Sequence, residues 1–187
     1  MLKRLVSLLA FLLLALPLAA RADSYSDTIN VFKNAGESGS FFAKSYGYAV
    51  FPTVGKGGVG VGGAYGQGRV YKKGKYVGNT SVTQLSVGLQ LGGQAYSEII
   101  FFQDERAFGE FTSGNFGFGA DASAIAVTAA AGAKASSTGT SAGASATKHA
   151  AATAGGYNRG MATFTVAKGG LMYEATINGQ KFSYKPK

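Results

Sequence analysis

The sequence predicts an α+β domain in which a curved antiparallel sheet is flanked by a few short helices. Two observations carry the sheet. Around Val59, Val61 and Tyr65 bulky residues alternate with Gly58, Gly60, Gly62, Ala64, Gly66 and Gly68, the period-two pattern of a strand with one nearly bare face. Such a face contributes little packing of its own, so it implies sharp curvature or the close approach of another element. Leu85, Val87, Leu89 and Leu91 then alternate with Gln84, Ser86, Gly88 and Gln90, as in a half-buried antiparallel strand. A third observation supplies the helical part: Asp104 and Glu105 open a segment with Phe108 and Phe111 on one side, closed by Gly114.

The elements follow in chain order. Met1 to Ala22 has a basic start (Lys3, Arg4), an apolar stretch from Leu5 to Leu18 and Ala20-Arg21-Ala22 before Asp23, the grammar of a cleaved secretory signal. The apolar run is shorter than the ~20 residues of a spanning helix, and no cysteine follows it for lipidation. Export to a periplasm or to the outside is expected, with residues 23–187 forming one domain. Loss of Lys3, Arg4 and Arg21 lowers the formal charge from +9 to about +6, so the mature chain stays basic. Without cysteine it has no disulfides, and packing with sheet hydrogen bonds must hold it together.

From Asp23 the spacing of Tyr25, Ile29 and Phe32 predicts an amphipathic helix ending near Gly36, with Asp27, Asn30 and Lys33 on its polar face. Tyr48 to Phe51 reads as a short strand stopped by Pro52. Val59 to Lys72 and Tyr76 to Gly92 read as a hairpin joined by the basic turn Lys72-Lys73-Gly74-Lys75. Ala95 to Gln103 is the next strand, and Ile99-Ile100-Phe101-Phe102, apolar on both faces, belongs near the centre of the fold. Phe116 to Ala133 is read as strand, and Lys134 to Gly156, rich in alanine, serine, threonine and glycine, as a mobile low-complexity insertion. Met161 to Ala167, Leu171 to Ile177 and Gln180 to Tyr184 read as three successive strands, the last two joined by the hairpin dipeptide Asn178-Gly179.

The residues argue against an enzyme. The single histidine, His149, falls in the low-complexity tract, where nothing would hold a catalytic base in place. No His, Cys, Asp or Glu grouping has metal-ligand spacing, so no metal and no cofactor are expected. Glu98, among apolar neighbours, reads as a hydrogen-bonded structural carboxylate. Gly58, Gly60 and Gly63 match G-x-G-x-x-G, but the chain continues as strand and has no acidic residue before Tyr96, so nucleotide binding is not expected.

Ala49-Val50-Phe51-Pro52, Lys56-Gly57-Gly58, Gly60-Val61-Gly62-Gly63 and Gly66-Gln67-Gly68 resemble the opening block of the SYLF lipid-binding domain family. Gly88-Leu89-Gln90-Leu91-Gly92-Gly93-Gln94-Ala95, Ile100-Phe101-Phe102, Phe108 to Phe111 and Phe116 to Ala124 resemble its later blocks in the same order. The 134–156 tract carries none of these motifs. The resemblance implies a sheet curved like part of a barrel and phospholipid binding without catalysis. Eukaryotic members bind phosphoinositides through a basic surface and an amphipathic N-terminal helix, and some bind actin. An exported chain does not meet actin, so an anionic envelope phospholipid is the expected partner.

The candidate lipid-binding residues are Lys33, Lys44, Lys56, Arg69, Lys72, Lys73 and Lys75, with Tyr25, Ile29 and Phe32 of the helix either inserting into lipid or packing on the sheet. A small outer-membrane barrel is the rival reading, and a scaffold binding protein or polymer, anionic glycans included, is a third. Export and the dispersed basic residues argue against nucleic acid.

Overall fold

The computed structural model describes residues 24–59, 61–87, 94–119, 125–126, 156–168 and 179–187. The leader, the low-complexity tract as far as residue 155 and the strand expected at Leu171 to Ile177 lie outside the described residues. Helix α1 spans 24–34 and is followed by the single turn α2 (Gly36–Gly39). The strands are β1 (Gly47–Val59), β2 (Val61–Lys72), β3 (Lys75–Val87), β4 (Gln94–Phe102), β5 (Ile125–Ala126), β6 (Met161–Lys168) and β7 (Gln180–Pro186), with α3 (Glu105–Thr112) between β4 and β5. They form one sheet in the order β5-β6-β4-β1-β2-β3-β7, antiparallel except where the short β5 joins β6.

Pro52 does not stop β1. The strand runs on to Val59, and the pairing with both β2 and β4 shifts register between Val50 or Phe51 and Val54. A bulge there accommodates the residue that has no N–H to give to the ladder. Asp104 caps α3 by accepting a hydrogen bond from the Ala107 N–H at 2.8 Å, and Gly114, at φ +86°, ends the turn that follows. Ile99, Ile100, Phe101 and Phe102 are fully buried, because β4 is covered on both faces.

The sheet is strongly curled. β4 and β7 are four places apart in its order, about 19 Å in a flat sheet. Yet the Gln180 amide nitrogen lies 3.1 Å from both Glu98 Oε2 and the Tyr96 hydroxyl. Concave-side residues Phe51, Val54, Val70, Val82, Ile100, Phe102 and Phe182 form one core, closed by Phe111 of α3 and by Phe116 and Phe118. Residues 116–118 also cover the outer edge of β7, the Phe118 N–H donating to the Gln180 carbonyl and the Phe182 N–H to that of Phe116. On the convex side, Val50, Ile99, Phe101, Phe164 and Val166 pack against Phe32 of α1 and Phe41.

The bare face has a local cause in the curl. A Cβ on Gly68 would meet two ring carbons of Phe51 at 2.6 and 2.7 Å and the Val50 carbonyl at 2.8 Å. Gly68→Ala should therefore cost about 1–3 kcal/mol, read as a lower urea midpoint. An unchanged midpoint would show that the Phe51 ring can step aside.

β6 and β7, the first and third of the three strands read at the end of the chain, sit near opposite ends of the sheet, β6 on β4 and β7 on β3. The sheet is open, as expected of one curved like part of a barrel, since no pairing joins its two ends among the described residues. An end helix and a short crossing segment fill the space that closure would require.

Candidate functional site

The basic residues gather where β1 begins, the β2–β3 hairpin turns and β7 ends. Lys73 and Gly74 both take positive φ, +48° and +77°, so Lys72 and Lys75 face each other across a two-residue turn. The turn is held against the chain before β1, for the Lys73 N–H donates to the Tyr46 carbonyl at 3.0 Å and the Tyr46 N–H to that of Phe102 at 2.8 Å. Lys44 stands two residues before Tyr46 and is exposed.

Aromatic rings lie under most of these cations. Lys72 Nζ is 5.0 Å from the Tyr46 ring centroid and 5.6 Å from that of Phe108, and Lys73 Nζ is 5.5 Å from Tyr46. Hydrogen bonding to Tyr46, and secondarily the Glu105 carboxylate at 3.7 Å, hold the Lys72 ammonium above its usual range. The Arg69 guanidinium sits between Tyr25, at 4.3 Å, and Tyr76, at 5.1 Å, while Lys187 approaches the Tyr76 ring at 5.3 Å and Lys33 that of Phe42 at 5.5 Å. Cation–ring pairs of this kind tether the side-chain heads while leaving their charge available.

Sheet register builds the aromatic bed. Phe101, Tyr48, Tyr71 and Tyr76 are successive cross-strand partners on β4, β1, β2 and β3. Tyr48 and Tyr71 stack at 5.0 Å and 17°, and burial pushes the Tyr48 hydroxyl up to about 12.

The structure thus brings Lys33, Lys44, Arg69, Lys72, Lys73 and Lys75 to one side and end of the molecule. It does not bring Lys56 there. That residue is nine positions along β1 from Gly47, about 30 Å away, and shares the concave face with Val54. The helix residues divide as well: Phe32 is fully buried, and Tyr25 and Ile29 are partly buried against the convex core. The packing alternative is the one seen, because the apolar stripe of α1 has sheet to cover, and lipid insertion by Phe32 would require α1 to undock. Lys187 joins the group unforeseen. It arrives through the β3–β7 pairing, and no local signal in the C-terminal residues could have shown which strand they accompany.

A curled α+β module carrying a rigid face of cations over aromatic rings belongs to the class of binding modules. The family model described as "Las17-binding protein actin regulator" (Ysc84) matches residues 83–186, and the chain belongs to that family. The match runs from the last part of β3 to the end of β7, over half the chain, and agrees with the SYLF resemblance of the sequence motifs. No curated protein matches the chain.

Proposed function

We propose that the protein is a non-enzymatic module of the cell envelope that binds anionic phospholipid head groups through the face around the β2–β3 turn. The observation that carries this reading is the convergence of Lys44, Lys72, Lys73, Lys75 and Lys187 on one end of the sheet, with Glu105 as the acidic partner of Lys72. Basic residues near an anionic bilayer each add to attraction, and the rings beneath them, amphipathic at Tyr46 and Tyr76, suit the head-group level of a membrane. Helix α1 contributes Lys33 and Tyr25 from its docked position. Family membership supports a binding role, and the secretory leader read at residues 1–22 supports the envelope as its place.

Vesicle pelleting tests the reading. Lys72→Glu/Lys73→Glu/Lys75→Glu should weaken binding to vesicles containing anionic lipid by about 100-fold or more, and added salt should weaken the parent protein in the same direction. Lys56→Glu, on the other face and far along β1, should leave binding unchanged. Equal binding to neutral and anionic vesicles would refute the proposal.

A further inference from the structure

Inside the curl, on the face opposite the proposed lipid contact, lies a polar cluster that the sheet does not satisfy. Glu98, Thr165 and Gln180 are fully buried. Each keeps one side-chain oxygen without a hydrogen-bond partner: Oε1 of Glu98, Oγ1 of Thr165 and Oε1 of Gln180. Native interiors rarely leave such groups unpaired without a ligand, ion or water to explain them.

Thr165 and Gln180 converge on Glu98. Thr165 stands directly opposite Glu98 in the β4–β6 pairing, which sets their Cβ atoms about 5 Å apart on one face. Gln180 reaches the same spot from the other end of the curled sheet, its amide nitrogen donating to Glu98 Oε2 and to the Tyr96 hydroxyl, both at 3.1 Å. Both amide hydrogens are thereby used, and the hydroxyls of Thr165 and Tyr96 carry the remaining side-chain hydrogens, so acceptor lone pairs outnumber donors around one carboxylate.

The missing complement is small and electropositive. Above about pH 7, where Glu98 is ionised, water could donate to two of the oxygens but would leave the carboxylate charge uncompensated. A divalent ion would overshoot, leaving net positive charge in apolar surroundings. Neither ion pair found among the described residues involves Glu98, and Lys56, the basic side chain on this face of β1, lies in the row of Ala64 rather than that of Glu98. We propose that the cluster binds one hard monovalent cation of the sodium kind, ligated by the Glu98 carboxylate, the Gln180 amide oxygen and the Thr165 hydroxyl. An all-oxygen donor set with one formal negative charge suits such an ion.

Thermal unfolding of the full chain at pH 8, in sodium chloride and in choline chloride of equal ionic strength, tests this. The midpoint should be about 5 °C higher in sodium and should rise with the logarithm of its concentration. Glu98→Gln should abolish the increment, and Thr165→Val, which keeps the charge and removes one donor, should reduce it. Broadening of the sodium-23 resonance by the parent protein, absent with Glu98→Gln, gives a readout independent of stability. Should Glu98→Gln fail to fold, Thr165→Val with the resonance measurement still decides. Equal midpoints in the two salts, or a sodium increment that both variants retain, would overturn the proposal.

Discussion

Phe101→Ala is expected to lower the stability of the protein by about 3–5 kcal/mol, a third or more of what a domain of this size commonly has. Phe101 is fully buried on the convex side of β4. Its ring centroid lies 4.9 Å from that of Phe42, 5.5 Å from Phe41, 5.9 Å from Phe164 and 6.0 Å from Tyr48. Truncation leaves a cavity that cannot collapse easily, because rings from β1, β6 and the turn after α2 surround it. The urea midpoint should fall by more than 1 M with an unchanged slope. Since Phe41 and Phe42 hold the turn that carries Lys44 against the sheet, hydrogen exchange in residues 41–46 should accelerate beyond the global loss. A midpoint within 0.3 M of the parent would mean that this ring cluster is not the anchor of the convex core.

The second large effect is a stability that falls as pH rises through the acid range. Burial raises the Glu98 carboxyl from 4.5 to about 7, and the hydrogen bond from Gln180 offsets only part of that. Below about pH 4.5 the group is protonated in both folded and unfolded chains. Between there and about 7 the folded chain keeps a proton that the unfolded chain releases, so stability declines with rising pH, and above 7 the loss is complete at roughly 3 kcal/mol. Glu98→Gln should remove this slope, because an amide oxygen can still accept from Gln180 while carrying no charge. At pH 8 in choline chloride the variant should be the more stable protein, and near pH 4 the two should match. Denaturation at four pH values between 4 and 8 measures it. A parent whose midpoint rises across that interval, with the variant parallel to it, would contradict the assignment.

The two effects belong to opposite faces of the same strand. Phe101 and Ile99 point to the convex side, Glu98 and Ile100 to the concave side, and the run was legible as doubly covered from its apolar residues. The sequence also marked Glu98 as a structural carboxylate among apolar neighbours. It contained no sign of Gln180 as the partner, because 82 residues separate them and their meeting depends on how far the sheet curls. The candidate face was legible in the same partial way. The Lys72 to Lys75 turn stands out by composition, but its tie to Tyr46 and the approach of Lys187 to Tyr76 are long-range.

Local chemistry therefore wrote the pieces: the lysine turn through the left-handed backbone that Lys73 and Gly74 adopt, the start of α3 through the Asp104 cap, and the alternating strands through their period of two. Those signals act over a few residues, through dihedral preference and capping, and they survive in almost any tertiary setting. Strand order, the continuation of β1 past Pro52, the separation of β6 from β7 and the removal of Lys56 from the basic face were settled by assembly. Each depends on which apolar faces fit together once glycines such as Gly68 let the sheet bend onto Phe51, and a fit between surfaces distant in the chain leaves no mark on either stretch alone.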